Sequence, residues 1–165
     1  MFLIVPFGVI WLLLDSSEHL PDEALIKRFY RYEKDFETLA QMAAEDSKVT
    51  RIANDFTWLE NNAAWPRPGS ELGFSRERWE NYRRLFNKLG IKGGISRKGH
   101  PETIFLLSST TGLATGGDEK GYAYCGHEPT PLVDSLDSIP IEVKSLQQVY
   151  KRVKGNWYLY YVWDD

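Results

Sequence analysis

The side chains best suited to nucleophilic chemistry are those of Cys125 and His127, a thiol and an imidazole separated by a single glycine. Thiolate catalysis needs the imidazole within hydrogen-bond reach and a third group to orient it. No orienting group is identifiable nearby, and a buried bystander cysteine satisfies the same pattern. Ser108, Ser109, His127 and Asp134 supply the residue types of a hydroxyl triad, but the G-x-S-x-G turn that would present such a serine is absent. A hydrolase using Cys125 or Ser109 is therefore an alternative reading, and no residue is assigned a catalytic role.

Metal chemistry finds less support. His19, His100 and His127 lie far apart, with neither an H-E-x-x-H pair nor a two-histidine-plus-carboxylate spacing. The single cysteine excludes zinc sites that need two or more thiolates. The stretch Gly112 to Gly121 has the glycine content of a phosphate loop. Acidic Asp118 and Glu119 nevertheless stand where such a loop needs Lys and Ser or Thr. Its glycines are expected to provide turn geometry, and neither metal nor cofactor is expected.

Aromatic side chains offer a different chemistry, that of a binding surface. Tyr122, Tyr124, Trp157, Tyr158, Tyr160, Tyr161 and Trp163 fall on segments that read as strands of one sheet. Tyr and Trp bring large rigid apolar area with a polar handle, the combination that anchors interfaces. Tyr122, Tyr124, Tyr158, Tyr160 and Trp163 are the candidate residues for a ligand or a protein partner. If helices cover this surface, the same rings form core.

The elements that must position these residues follow from periodicity and punctuation. Pro21-Asp22-Glu23 opens a helix, and Leu25, Ile26, Phe29, Phe36, Leu39, Ala40 and Ala43 continue it at spacings of three and four to about Ala44. Val49 to Ile52 and Phe56 to Leu59 read as brief strands or a turn around Asn54-Asp55, and Asn61 to Gly73 as a loop. Ser75 caps a second helix that ends at Gly90, with Trp79, Tyr82, Leu85, Phe86 and Leu89 as its buried stripe. Arg76, Arg78, Arg83 and Arg84 cover its remaining surface as a solvated face. Beyond Ile91 the period becomes that of strands. Ile91 to Arg97, Thr103 to Ser109 and Gly121 to Cys125 precede a terminal hairpin, Gln147 to Lys154 and Trp157 to Trp163, turning at Gly155-Asn156. Helices first and strands afterwards predict an α+β fold, two amphipathic helices packed on a C-terminal antiparallel sheet of about four to five strands.

Composition narrows the functional classes. Hydrophobic residues make up 42% and charged residues 26% of the chain, and six Trp, nine Tyr and eight Phe rule out a disordered chain. A net charge of -3 from 23 acidic and 20 basic residues lacks the positive field that phosphate backbones demand, so nucleic acid is not an expected partner. Met1 to Leu14 is strongly apolar and has no ionisable side chain. As a helix it would reach only about 21 Å against about 30 Å of hydrocarbon, closer to a signal h-region than to a comfortable span. It lacks a basic start, a small-x-small cleavage site and a lipobox cysteine. Residues 1–20 are read as a targeting or anchor segment with its linker, and 21–165 as one domain. The expected location is the cell envelope, anchored or exported, with the membrane as a partner through residues 1–14. A cytoplasmic protein with this segment in its core is the alternative.

The runs Phe74-Ser-Arg-Glu-Arg-Trp79-Glu-Asn-Tyr82-Arg-Arg-Leu-Phe86, Lys120-Gly-Tyr-Ala-Tyr124, Pro131-Leu-Val-Asp134-Ser-Leu and Asn156-Trp-Tyr-Leu-Tyr160 carry a resemblance. From about Asp22 to the C-terminus the chain resembles a group of small bacterial envelope proteins, often lipoprotein-like. Where such relatives would carry a lipobox cysteine, this chain has Asp15-Ser16-Ser17. The resemblance implies an envelope location and brings no catalytic residues with it. The expectation is a non-enzymatic, envelope-associated binding domain, with an immunity protein neutralising a toxin as a further alternative.

Overall fold

The computed structural model describes residues 19–59, 73–97, 102–111 and 117–163. Helix α1 spans Asp22–Arg31 and α2 spans Glu33–Glu45, so the single helix expected up to Ala44 is two. Tyr32 leaves helical geometry between them at φ -123° and ψ 27°. Its N–H still reaches the carbonyls of Arg28 and Phe29, and its own carbonyl accepts from Asp35 and Phe36, so the break orphans little of the backbone. The aromatic packing explains the bend. Phe29 and Phe36 are seven residues apart, about 10.5 Å along a straight helix. With the bend their ring centroids lie 5.3 Å apart, and both rest on Trp157, at 5.4 and 5.7 Å.

Helix α3, Arg76–Leu89, starts and stops where its punctuation predicts. Ser75 Oγ accepts the Arg78 N–H at 3.1 Å, and Gly90 ends the helix at φ 68°. That left-handed conformation favours glycine, and a Cβ at Gly90 would also press to 2.5 Å from the Arg28 guanidinium.

The strands are β1 Val49–Ile52, β2 Thr57–Leu59, β3 Gly94–Ser96, β4 Thr103–Thr110, β5 Glu119–Cys125, β6 Gln148–Lys154 and β7 Trp157–Val162. They form one antiparallel sheet in the order β2-β1-β3-β4-β5-β7-β6. The α+β class with an antiparallel sheet is thus present, with three α-helices and seven strands among the described residues. The expected four to five strands were too few because β1 and β2, read as brief strands or a turn, have only four and three residues, too short for alternation to register, and yet pair into the sheet through β3. The terminal hairpin forms as read, and its second strand, β7, pairs with β5 as well as β6.

Strand alternation sends side chains to two faces. On one face Ile95, Ile104, Leu106, Tyr122, Trp157 and Leu159 share a buried cluster with Leu25, Phe36, Leu39, Trp79 and Phe86 of the helices. Phe36 lies 4.6 Å from the ring of Tyr122, whose hydroxyl donates to the Leu25 carbonyl at 2.9 Å. The other face carries a second buried cluster that includes Phe105, Leu107, Ala123, Cys125, Tyr158 and Tyr160. Register shifts at Thr50, Ser108 and Val153 interrupt three of the ladders. Such bulges tighten the right-handed twist and bend a sheet. At the middle one, Gly121 faces the backbone so closely that a Cβ would lie 2.1 Å from the Leu106 carbonyl oxygen, a position that only glycine fills without displacement.

Candidate functional site

Cross-strand register builds the site. Trp58, Arg51, Ser96, Phe105, Ala123, Tyr158 and Arg152 are successive Cα partners, forming a continuous row across all seven strands. Directly opposed residues share a face, so this row lies on the face away from the helices, with Phe105, Ala123 and Tyr158. Two residues along comes the row Leu107, Gly121, Tyr160 and Tyr150, and beyond it Glu119, Val162 and Gln148. Across these rows lies a cavity of about 710 Å³ to which every strand contributes. Participation by both edge strands, Trp58 on β2 and Gln148 on β6, shows that the face is concave.

Phe56, Trp58, Phe105 and Tyr160 form the cavity's aromatic wall, and Arg51 and Glu119 are its charged residues. The Arg51 guanidinium lies 5.9 Å over the Phe56 ring. Among the described residues neither Arg51 nor Glu119 has an ion-pair partner. Both are half-buried. Between their two rows Tyr160 is buried, and its phenol is pushed well above its ordinary value. Burial is the main cause; the Glu119 carboxylate raises it further, Arg51 opposes, and Tyr150 adds a smaller upward push. The hydroxyl therefore remains a hydrogen-bond donor through the physiological range.

The five aromatic residues proposed from sequence do not share a surface. Tyr158 and Tyr160 lie on the concave face, Tyr160 in the cavity wall and Tyr158 buried beneath the Arg152 guanidinium at 5.1 Å. Tyr122 and Tyr124 lie on the helix side; Tyr122 is fully buried, and the half-buried Tyr124 rests on Trp157 at 5.1 Å. Trp163 also packs against that cluster, 5.7 Å from Tyr161. Arg51, Trp58, Phe105, Glu119 and Gln148 were missed. The alternation of Phe56 and Trp58 around Thr57 was the one available signal, whereas the charged pair is joined only by register.

Nucleophile candidates are placed apart from this cavity lining. Cys125 is 2% exposed, and burial raises its thiol against a smaller opposing hydrogen bond with Thr103. His127 pairs instead with Glu102 at 2.8 Å on the surface. Ser108 is buried, with its hydroxyl 3.4 Å from the Gly90 carbonyl, and Asp134 offers its backbone carbonyl to Lys151. Ser109 does meet an imidazole, that of His19, with Nδ1 2.7 Å from Oγ. His19 is held below its ordinary value by burial first and by Lys120 second, against Asp118. Its buried Nε2 has no hydrogen-bond partner among the described residues, so no described carboxylate bonds the ring there. His100 and half of the Gly112–Gly121 loop, residues 112–116, lie outside the described residues. Among the described residues no group of three His, Cys, Asp or Glu could hold a metal ion.

An ionic cluster sits beside Ser109. Lys120, opposite Ser109 in register and 1% exposed, lies 2.9 Å from the Asp22 carboxylate and 2.6 Å from that of Asp137. Asp22 accepts the Leu136 N–H at 2.8 Å and the Ser135 hydroxyl at 3.2 Å, while its own N–H donates to Asp137 at 2.8 Å. These bonds tie the first turn of α1 and the segment before β6 to the sheet, which is a structural role.

No protein-family model, no curated protein and no solved structure matches this chain.

Proposed function

We propose that the chain is a non-enzymatic binding domain whose ligand site is the concave face of its sheet. The observation that carries this reading is the cavity of about 710 Å³, walled by four aromatic side chains and bearing one charge of each sign that has no ion-pair partner among the described residues. Its size falls in the range of small-molecule sites, as does the pairing of apolar walls with few polar groups. Backbone amide shifts in a titration with small aromatic and aliphatic fragments test it. Shifts confined to Trp58, Ser96, Phe105 and Tyr160 support the reading, and shifts confined to the groove between α2 and α3, or none, refute it.

The same proposal places the domain at the cell envelope. The apolar segment 1–14 supports this, although it lies outside the described residues and no described helix is long and apolar enough to cross a membrane. Fractionation of the full-length protein with the mass of its mature N-terminus decides. An intact chain in the membrane fraction or a shortened exported chain agrees, and an intact chain in the soluble fraction overturns the location.

A second reading rests on the contact between Ser109 and His19, which sets a neutral imidazole against a hydroxyl as acyl transfer requires. Labelling by a fluorophosphonate that is lost in Ser109→Ala would establish it; an unlabelled native protein removes it.

A further inference from the structure

The geometry points to a zwitterionic ligand for the concave cavity, a short peptide with free termini and apolar side chains. This inference rests on the binding reading above and specifies what is bound. Arg51 and Glu119 both line the cavity, yet neither has a described ion-pair partner. A half-buried guanidinium presents a planar fork of donors suited to a carboxylate, and a half-buried carboxylate accepts an ammonium. Both are partly withdrawn from water, so a ligand that supplies the opposite charges regains at each end an interaction stronger than at an open surface.

Register sets the distance between the two charges. Strand β1 reaches β5 through β3 and β4, three ladder steps. Glu119 lies four residues along β5 from Ala123, the residue in the row of Arg51. Three steps of about 4.8 Å and four residues of about 3.4 Å separate the two backbones by roughly 20 Å on a flat sheet. Concavity shortens this span, and each side chain reaches several ångströms inward. Both charges act on the Tyr160 phenol that lies between their rows. The remaining gap suits a ligand with its charges some residues apart. An amino acid, with both charged groups on one carbon, cannot bridge it, whereas three extended residues span at most about 10 Å.

The walls between the charges define the rest of the ligand. The cavity lining between them is aromatic, Phe56, Trp58, Phe105 and Tyr160, a surface that suits apolar side chains. The carboxylate therefore lies at the Arg51 end and the ammonium at the Glu119 end.

Calorimetry with leucyl-glycyl-leucine as the probe tests the assignment on the full chain. The free tripeptide binds, and N-acetylation or C-amidation each weakens binding by about tenfold or more, in keeping with a charge-assisted bond at each end. In Arg51→Met the effect of C-amidation disappears and that of N-acetylation persists; in Glu119→Gln the pattern reverses. The capping comparison uses unaltered protein, so its outcome is independent of whether either variant folds. If doubly capped and free tripeptides bind alike, the zwitterion assignment is overturned and the binding reading stands. If neither form binds and the fragments leave the concave face unshifted, the binding reading itself falls.

Discussion

Replacing Lys120 by methionine removes the one cation that sits between Asp22 and Asp137, at 2.9 and 2.6 Å. Asp137 keeps contact with water because its side chain is 44% exposed, but that of Asp22 is 7% exposed and must bear its charge nearly dry. Two hydrogen bonds, from Leu136 and Ser135, and Lys151 at 3.6 Å would remain to it. Breaking one side of a buried pair costs about 3–5 kcal/mol, and the remaining partners place this case near the lower end, about 3 kcal/mol. With a urea dependence of about 2 kcal/mol per molar, the unfolding midpoint should fall by about 1.5 M, read by tryptophan fluorescence. Asp22→Leu combined with Lys120→Met should cost less than the two single changes added, because the stranded charge is gone. A midpoint shift below about 0.5 M for Lys120→Met, or strict additivity in the cycle, would refute the view that this cluster holds α1 to the sheet.

Other expectations follow from the same geometry. Native protein should leave Cys125 unlabelled by Ellman's reagent at pH 8, with one thiol appearing in denaturant, since the sole cysteine is buried and its thiol raised. His19 is lowered in the fold below its ordinary value of 6.5, so the unfolded chain binds the proton first. Its contribution is complete above pH 6.5 and is lost as pH falls toward the folded value, so thermal stability should drop between pH 7 and 5 more steeply than in His19→Gln. Arg78 joins α3 to the end of α2 through Asp46 at 2.8 Å, Glu45 at 2.7 Å and the Met42 carbonyl at 3.1 Å. Arg78→Ala should destabilise by about 1–2 kcal/mol in urea unfolding, and a neutral effect would mark these contacts as incidental.

Local chemistry was legible where neighbours in the chain decide the structure. Ser75, Gly90 and Gly155-Asn156 act within a few residues of themselves, and each terminates or turns the backbone where its type demands. Distant partners were not legible. The break at Tyr32 exists because Trp157 draws Phe29 and Phe36 together from the far end of the chain. In the same way Tyr122 and Tyr160, both read as binding residues, diverge to opposite faces once β5 and β7 pair. Ser109 was a candidate, yet its partner His19 lies 90 positions away and is brought to it by the fold. Lys120 read as part of a glycine-rich loop, although its neighbours in space make it the centre of a buried ionic cluster.

The most direct test of the concave-face site is the set of intermolecular nuclear Overhauser effects from bound leucyl-glycyl-leucine. The account predicts contacts from the leucine methyls to the rings of Trp58, Phe105 and Tyr160, with the C-terminal leucine nearer Arg51 and the N-terminal leucine nearer Glu119. Contacts to residues of α2 and α3 alone would contradict it, as would a bound peptide that touches none of these rings.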